Sequence, residues 1–175
     1  PSASSAASDV YKRQVWGLMS LSHFNKKNKN IEMVDISKKN KTKRFAEARS
    51  LIEIDKKLYS VIKGDKELKN NLFNTAKIAG IYAAKNTSHQ IPLTHNIPID
   101  YVSLTLNLRD EVYIEIKSVV KSNYSTGLEI EALNSVSCAS ITTFDMLKSF
   151  KKKIIIKKIE IIKKRGGKNN IGWYF

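Results

Sequence analysis

The chain has 175 residues, of which 42% are hydrophobic and 27% are charged, and its formal net charge is +15. This composition excludes wholesale disorder, and the length fits one domain with a buried core. The single cysteine, Cys138, excludes a disulfide framework and a thiolate metal site. The lack of a disulfide framework favours a reducing, intracellular compartment, either the cytoplasm or an organellar matrix. No apolar run reaches transmembrane length, so we expect a soluble protein.

The basic excess is concentrated at the two ends of the chain. Residues 1–44 carry ten basic and three acidic side chains, residues 45–147 carry eleven and twelve, and residues 148–175 carry ten and one. Charge placed in this way favours an anionic partner, either nucleic acid or a phosphorylated small molecule. For the N-terminal lysines, a composition that only keeps the protein in solution is the alternative.

The N-terminal segment is not expected to belong to the fold. Residues 1–14 are rich in Ser and Ala and begin without Met, as a translated cloning junction would. We expect the natural start near Met19, a flexible basic lead over residues 15–32, and a single domain over residues 33–175.

The first predicted elements of the domain are a strand and two helices. Small and branched residues alternate with charged ones over residues 44–54, which predicts a strand. A short helix over residues 55–62 should end at Gly64, and a lysine-bearing loop should follow over residues 63–71. Apolar residues at helical spacing then predict a helix over residues 72–86, which Pro92 prevents from continuing.

A β-hairpin is the clearest prediction. Apolar residues alternate over residues 101–108 and again over residues 111–120, and a tight turn at Arg109 and Asp110 would join the two runs. A helix over residues 126–148 and a strand over residues 154–164 complete the chain. The order of elements predicts an α+β sandwich of the ferredoxin-like kind, with an antiparallel sheet and its helices packed on one face.

The helix over residues 126–148 carries two stripes of side chains. Apolar and small residues recur at steps of three and four, which indicates a packed face made of Leu133, Val136, Ser140, Phe144 and Leu147. A polar stripe beside it comprises Asn134, Cys138, Thr142, Asp145 and Lys148. A polar stripe this narrow is expected to face a partner rather than open water.

Several polar residues could perform chemistry, and each has an ordinary structural alternative. Asp145 and Lys148 lie on one helix face, where they would by default form a surface ion pair. Glu129 and Glu131 open the same helix and would by default favour its dipole. His95, between two prolines, has no His or Cys at metal-ligand spacing, so a zinc site is not expected.

Four stretches together resemble one family. They are MVDIS at residues 33–37, AKIAGIYAAKNTSHQIPLTHNI at residues 76–97, TGLEIEALNSVSCASITTFDMLK at residues 126–148, and GGK at residues 166–168. In order and in content these stretches resemble the cyclic pyranopterin monophosphate synthases of molybdenum cofactor biosynthesis, the MoaC family.

The resemblance implies a lyase that acts on a cyclised dihydro-GTP made by the radical-SAM enzyme MoaA. The substrate is rearranged to the cyclic pyranopterin while pyrophosphate leaves, without a redox cofactor, although Mg²⁺ could accompany the triphosphate. The resemblance also implies a homohexamer, a trimer of dimers, with active sites at the dimer interface. No metal site of the protein's own, no membrane and no nucleic acid are expected.

The resemblance also assigns site residues by position. Asp145 and Lys148 would carry the acid–base chemistry, with Lys69 as a further catalytic cation. The residues that would bind substrate are Lys77, Thr94, His95, Glu129, Ile130, Glu131, Lys164 and Lys168.

The chain departs from the family pattern at three places, each at or beside one of these residues. Thr94 and Asn96 stand where the family has Cys and Pro beside the loop histidine, and Asn70 and Asn71 follow Lys69 in place of Gly and Asp. Lys77 replaces an Arg, which keeps the charge but loses a bidentate phosphate contact. These departures leave a catalytically degenerate family member as one alternative function. The lysine-rich ends of the chain leave a basic RNA-binding α+β module as the other.

Overall fold

The computed structural model describes residues 23–25 and 29–167 of the chain. The chain divides into two compact units, residues 1–35 and residues 36–175. In the first unit, β1 (Phe24–Asn25) pairs antiparallel with β2 (Asn30–Ile31). The predicted leader over residues 1–14 lies outside the described residues, and the division into leader, lead and domain stays a prediction.

The second unit is built on a four-stranded antiparallel sheet. Its strands are β3 (Thr42–Ile54), β4 (Tyr101–Arg109), β5 (Tyr113–Tyr124) and β6 (Ile154–Arg165), in the order β4-β5-β3-β6. Along β3 every second residue from Ala46 to Ile54 is buried, as the alternation predicts. The strand predictions are confirmed, although the hairpin turn is wider than expected. It spans residues 110–112, with Asp110 and Glu111 at φ of 49° and 56°.

Four helices accompany this sheet in the described part of the chain: α1 (Lys56–Gly64), α2 (Lys66–Lys85), α3 (Thr87–Gln90) and α4 (Glu129–Leu147). The predicted loop over residues 63–71 is wrong, because Asp65 begins α2 directly after α1. Its carboxylate accepts a hydrogen bond from the Leu68 N–H at 2.9 Å, which satisfies one of the free donors of a helix start.

The helices cover one face of the sheet, so the predicted α+β sandwich of the ferredoxin-like kind is confirmed. α4 packs on β3, β5 and β6, and α2 packs on α4 and β4. The core is formed by buried residues of these elements, among them Ile52, Leu72, Ile116, Val136 and Leu147. No helix among the described residues is both long enough and apolar enough to cross a bilayer.

The helix pair α2 and α4 packs very closely. Gly80 of α2 lies against the Ser135 carbonyl and Ala139 of α4, and small residues line the buried face of α4. The prediction that Phe144 belongs to this face is wrong, since its side chain is 42% exposed. Two backbones this close leave no room for a phenyl ring between them.

Candidate active site

The predicted site residues of α4 lie at its two ends. Glu129, Ile130 and Glu131 form its first turn, whereas Asp145 and Lys148 lie at its C-terminal end. Sixteen residues separate Glu129 from Asp145, which corresponds to about 24 Å along a helix. Within one chain, these residues therefore form two separate groups.

The C-terminal group contains Asp145 and Lys148. Lys148 Nζ donates to Asp145 Oδ1 at 2.6 Å, so the i, i+3 pairing predicted from their spacing is confirmed. Their side chains are 62% and 65% exposed, for Lys148 and Asp145 respectively. An exposed pair of this kind contributes little to stability, so its role has to be sought outside the isolated fold.

Lys69 lies at the same end of the helix pair. α2 and α4 are antiparallel, because Asn134 donates to the Ala83 carbonyl at 3.0 Å while Ala139, further along α4, faces Gly80. Lys69 lies eleven residues before Gly80, and Lys148 lies nine residues after Ala139, so both are displaced towards one end of the pair. Lys77 is two turns nearer the middle, and Lys69 and Lys77 are both half-buried.

The N-terminal group is centred on an ion pair between Glu129 and Lys164. The register of β6 against β3 places Lys164 opposite Ala46, on the helix-covered face of the sheet and beside the loop that leads into α4. Glu129 also folds back on Gly127, where a Cβ atom would lie 1.9 Å from the carboxylate oxygen. A side chain at position 127 would thus displace the carboxylate that holds Lys164.

Glu131 is the most perturbed acid of the site. Only 3% of the surface of Glu131 is exposed. The pKa of its carboxyl is raised to about 7, chiefly by burial and also by the nearby Glu129 charge, while a backbone hydrogen bond opposes the shift. A carboxyl with this pKa can hold or release a proton near neutral pH. Ile130, between the two acids, is 41% exposed.

Arg44 also belongs to this group, although it was not among the residues predicted to form the site. Its Nε donates to the Tyr124 carbonyl at 3.1 Å, and its Nη2 donates to the Ser125 carbonyl at 3.3 Å. Its guanidinium also lies against Gly167. Arg44 therefore ties the start of β3 to the loop before α4 and adds a second cation beside Lys164. The only signal in the sequence is its spacing: Arg44 lies two residues before Ala46 on β3, so both side chains point to the helix side of the sheet.

The loop that carries Thr94 and His95 follows α3. Gln90, the last residue of α3, accepts a hydrogen bond from Asn134 Nδ2 at 2.8 Å, so the loop begins near the N-terminal half of α4. Thr94 Oγ1 donates to the Ile91 carbonyl at 2.8 Å. His95 Nε2 is buried, with no hydrogen-bond partner in the described part of the chain. Such a nitrogen is available to a ligand group that enters the loop.

Two further predictions concern Lys168 and metals. Lys168 lies outside the described residues, so its place is not known. Within the ranges 23–25 and 29–167, no cluster of three or more His, Cys, Asp or Glu side chains could hold a metal ion. The expectations about metals and cofactors stay predictions.

The sequence model of the MoaC family matches residues 33–167. The chain belongs to the MoaC family. The resemblance read from the four motifs is thus confirmed, and the match covers every candidate residue except Lys168. The roles of these residues in this MoaC chain stay predictions.

Curated relatives of this MoaC chain cover almost its whole length. A cyclic pyranopterin monophosphate synthase of Staphylococcus epidermidis is 40% identical over 156 residues, 87% of this chain and 96% of the relative. Proteins of the same name from Peptoclostridium acidaminophilum and Bordetella avium are 39% and 34% identical, over 86% and 87% of this chain and 95% and 94% of their own.

Proposed function

We propose that this chain is a cyclic pyranopterin monophosphate synthase, a lyase that converts 3',8-cyclo-7,8-dihydro-GTP to cyclic pyranopterin monophosphate and pyrophosphate. The observation that carries the proposal is the family match over residues 33–167, supported by relatives of that name at 34–40% identity. The product serves molybdenum cofactor biosynthesis. The expected compartment is the cytoplasm or an organellar matrix.

The residues of the two groups suit this chemistry. Loss of pyrophosphate places negative charge on the leaving group, and Lys164, Lys148 and Lys69 are the cations that would stabilise it. Ring opening and closure require protons to be delivered and removed, for which Asp145 and Glu131 are the candidate acids and bases. Mg²⁺ would arrive with the triphosphate and needs no ligand set of the protein's own.

The separation of the two groups supports an active site shared between two copies of the chain. Groups that act on one reacting centre must lie within a few ångströms of it, and about 24 Å along α4 is too far. A twofold axis near the middle of α4 would bring the C-terminal group of one copy to the N-terminal group of the other. This arrangement agrees with the dimer interface, and the trimer of dimers, that the resemblance implies.

The surface between the groups suits such contact. Four large apolar side chains of α2 and α4 are exposed by 42–69%: Ile78, Tyr82, Ile141 and Phe144. Exposed apolar clusters of this kind mark protein–protein contacts. A second copy seated there would also bury the narrow polar stripe of α4.

The reaction is tested by incubating the protein with the MoaA product and measuring pyrophosphate and cyclic pyranopterin. Asp145→Asn and Lys148→Ala should abolish turnover without changing the fold. Lys152→Ala, at an exposed lysine four residues further on, is the matched control. Near-normal turnover in either site variant would contradict its assignment. Binding without turnover in the unsubstituted protein would identify it as a degenerate member.

The shared site has a test of its own. Lys148→Ala carries a defect in the C-terminal group and Lys164→Ala carries one in the N-terminal group, so each should be inactive alone. After the two are unfolded and refolded together in equal amounts, half of the dimers are mixed and one of their two sites is intact. Activity should then return to about a quarter of the unsubstituted level. No recovery from a refolded, mixed assembly would refute a site shared in this way.

A further inference from the structure

The face of the sheet away from the helices carries a row of alternating aromatic and basic side chains. Tyr101 pairs with Lys121, Lys121 pairs with Phe45, and Phe45 pairs with Arg165, so that the row crosses β4, β5, β3 and β6 in turn. Residues directly opposite one another on neighbouring strands point to the same face. Because Ala46 and Leu104 face the helices, this row faces the other side.

A cleft of about 480 Å³ lies over this row, and Lys43, Asn123 and Asp100 also line it. Lys121 Nζ lies 4.9 Å from the centre of the Tyr101 ring. Asp100 is already engaged, since its Oδ2 accepts the Asn123 N–H at 2.8 Å.

The basic side chains of the cleft are available for a ligand. Among the ion pairs of the described residues, none involves Lys43, Lys121 or Arg165. The cleft therefore combines ring faces with three cations that form no ion pair among the described residues, and the one carboxylate beside them, Asp100, leaves its lining net positive. This combination favours a ligand with both a planar ring and anionic groups.

We propose that this cleft binds a nucleoside phosphate, with its base stacked against Tyr101 or Phe45 and its phosphates held by Lys43, Lys121 and Arg165. A volume of about 480 Å³ lies within the range of small-ligand pockets. Single-stranded RNA is less well matched, because sheets that bind RNA stack two or three successive bases and this face offers one row.

Apart from Arg44, which it shares with the N-terminal group, this cleft is separate from the two groups at the ends of α4. Those groups lie on the helix side of the sheet, whereas the row lies on the opposite face. Arg44, which lines the cleft and also bonds to the loop before α4, is the link between the two faces. The inference does not depend on the proposed reaction, and its test uses no turnover measurement.

The test is photolabelling of the full-length protein with 8-azidoguanosine triphosphate, followed by mass-spectrometric mapping. Labelling is expected in the peptide that contains Tyr101, and excess GTP should prevent it. Tyr101→Ala and Lys121→Ala should each reduce this labelling at least tenfold. Lys117→Ala is the matched control, since it removes a lysine of the same strand and face whose Nζ lies 3.5 Å from Glu115 rather than in the cleft.

The remaining outcomes each decide the question. Labelling confined to α4 or to the loop over residues 91–98 would place the nucleotide in the candidate active site alone and overturn the inference. Labelling of the Tyr101 peptide that persists in Lys121→Ala would show adventitious reaction and also overturn it. Prevention of labelling by oligouridylate at concentrations far below those of GTP would replace the nucleoside phosphate with RNA.

Discussion

Gly80, where α2 touches α4, is the position at which a single methyl group should be most disruptive. A Cβ atom there would lie 2.4 Å from Leu104 Cδ2, 2.9 Å from the Ser135 carbonyl oxygen and 3.3 Å from Ala139 Cβ. Leu104 can rotate away, but the Ser135 oxygen is backbone. Gly80→Ala therefore forces the two helices apart.

The size of the effect follows from two opposing contributions. Replacing Gly by Ala inside a helix stabilises it by about 1 kcal/mol. Overpacking a tight core contact costs about 1–3 kcal/mol. We expect a net loss of up to about 2 kcal/mol, which for a chain of this length lowers Tm by up to about 8 °C.

Gly64, at the end of α1, provides the matched control. No atom lies within 4 Å of a Cβ atom at that position, so Gly64→Ala should leave Tm unchanged or raise it slightly. Both variants are compared by thermal unfolding followed by circular dichroism at one protein concentration. If Gly80→Ala is as stable as Gly64→Ala, the close contact between α2 and α4 is not the constraint inferred here.

Three further substitutions test other features. Because the pKa of Glu131 is raised to about 7, its protonated form stabilises the fold below pH 4.5, and this contribution is lost as the pH rises through 7. The free energy of unfolding of Glu131→Gln, measured in urea, should therefore rise by about 2–3 kcal/mol relative to that of the unsubstituted protein between pH 5 and 8. A difference that stays constant over this pH range would refute the shift in pKa. Asp65→Ala removes the N-cap of α2 and should cost about 1 kcal/mol in the same assay, whereas no loss would show that the bond to Leu68 is not needed. Glu115 is buried among Arg49, Arg109 and Lys117. Glu115→Ala would leave these three cations without their shared partner, so it should lower Tm by several degrees, and by more in low salt than in high salt. A loss of Tm that does not depend on salt would contradict an electrostatic role.

The strands could be predicted because their side chains alternate between two very different environments. Along β3 the alternation of Ala46, Ala48 and Ile52 with charged neighbours follows directly from one covered and one open face. The first turn and a half of α2 was missed because its lysines and asparagines resemble a loop. Its start was nevertheless encoded in Asp65, which follows Gly64 and caps the helix.

The buried face of α4 shows where periodicity is misleading. Predictions weight large apolar residues, and Phe144 falls on the expected stripe, yet the closest contact is made by Ser135 and Ala139 against Gly80. Helices that approach this closely bury small residues and leave large ones at the margin. Such a choice depends on the neighbouring helix and is not contained in the local pattern.

In the candidate site too, some contacts could be predicted from local spacing and others could not. Asp145 and Lys148 are three residues apart on one helix, so their contact could be predicted from spacing alone. The contact of Glu129 with Lys164 joins the start of α4 to the end of β6, and it depends on the register of β6 against β3. Arg44 was missed for the same reason, because its partners Tyr124 and Ser125 lie about 80 residues further along the chain.

The long edge strand β6 has a consequence for how the protein avoids polymerising. Among the described residues β6 ends the sheet, and an edge strand of twelve residues with exposed Ile155 and Ile159 would ordinarily allow another strand to add to it. Two register shifts against β3 interrupt its regularity, at Glu47/Ala48 and at Leu51/Ile52. Lysines recur along its length, and charged side chains of this kind disfavour the addition of another strand at a sheet edge. The lysines and register shifts of β6 thus disfavour the growth of fibres by strand addition at this edge, independently of any anion that the lysines bind.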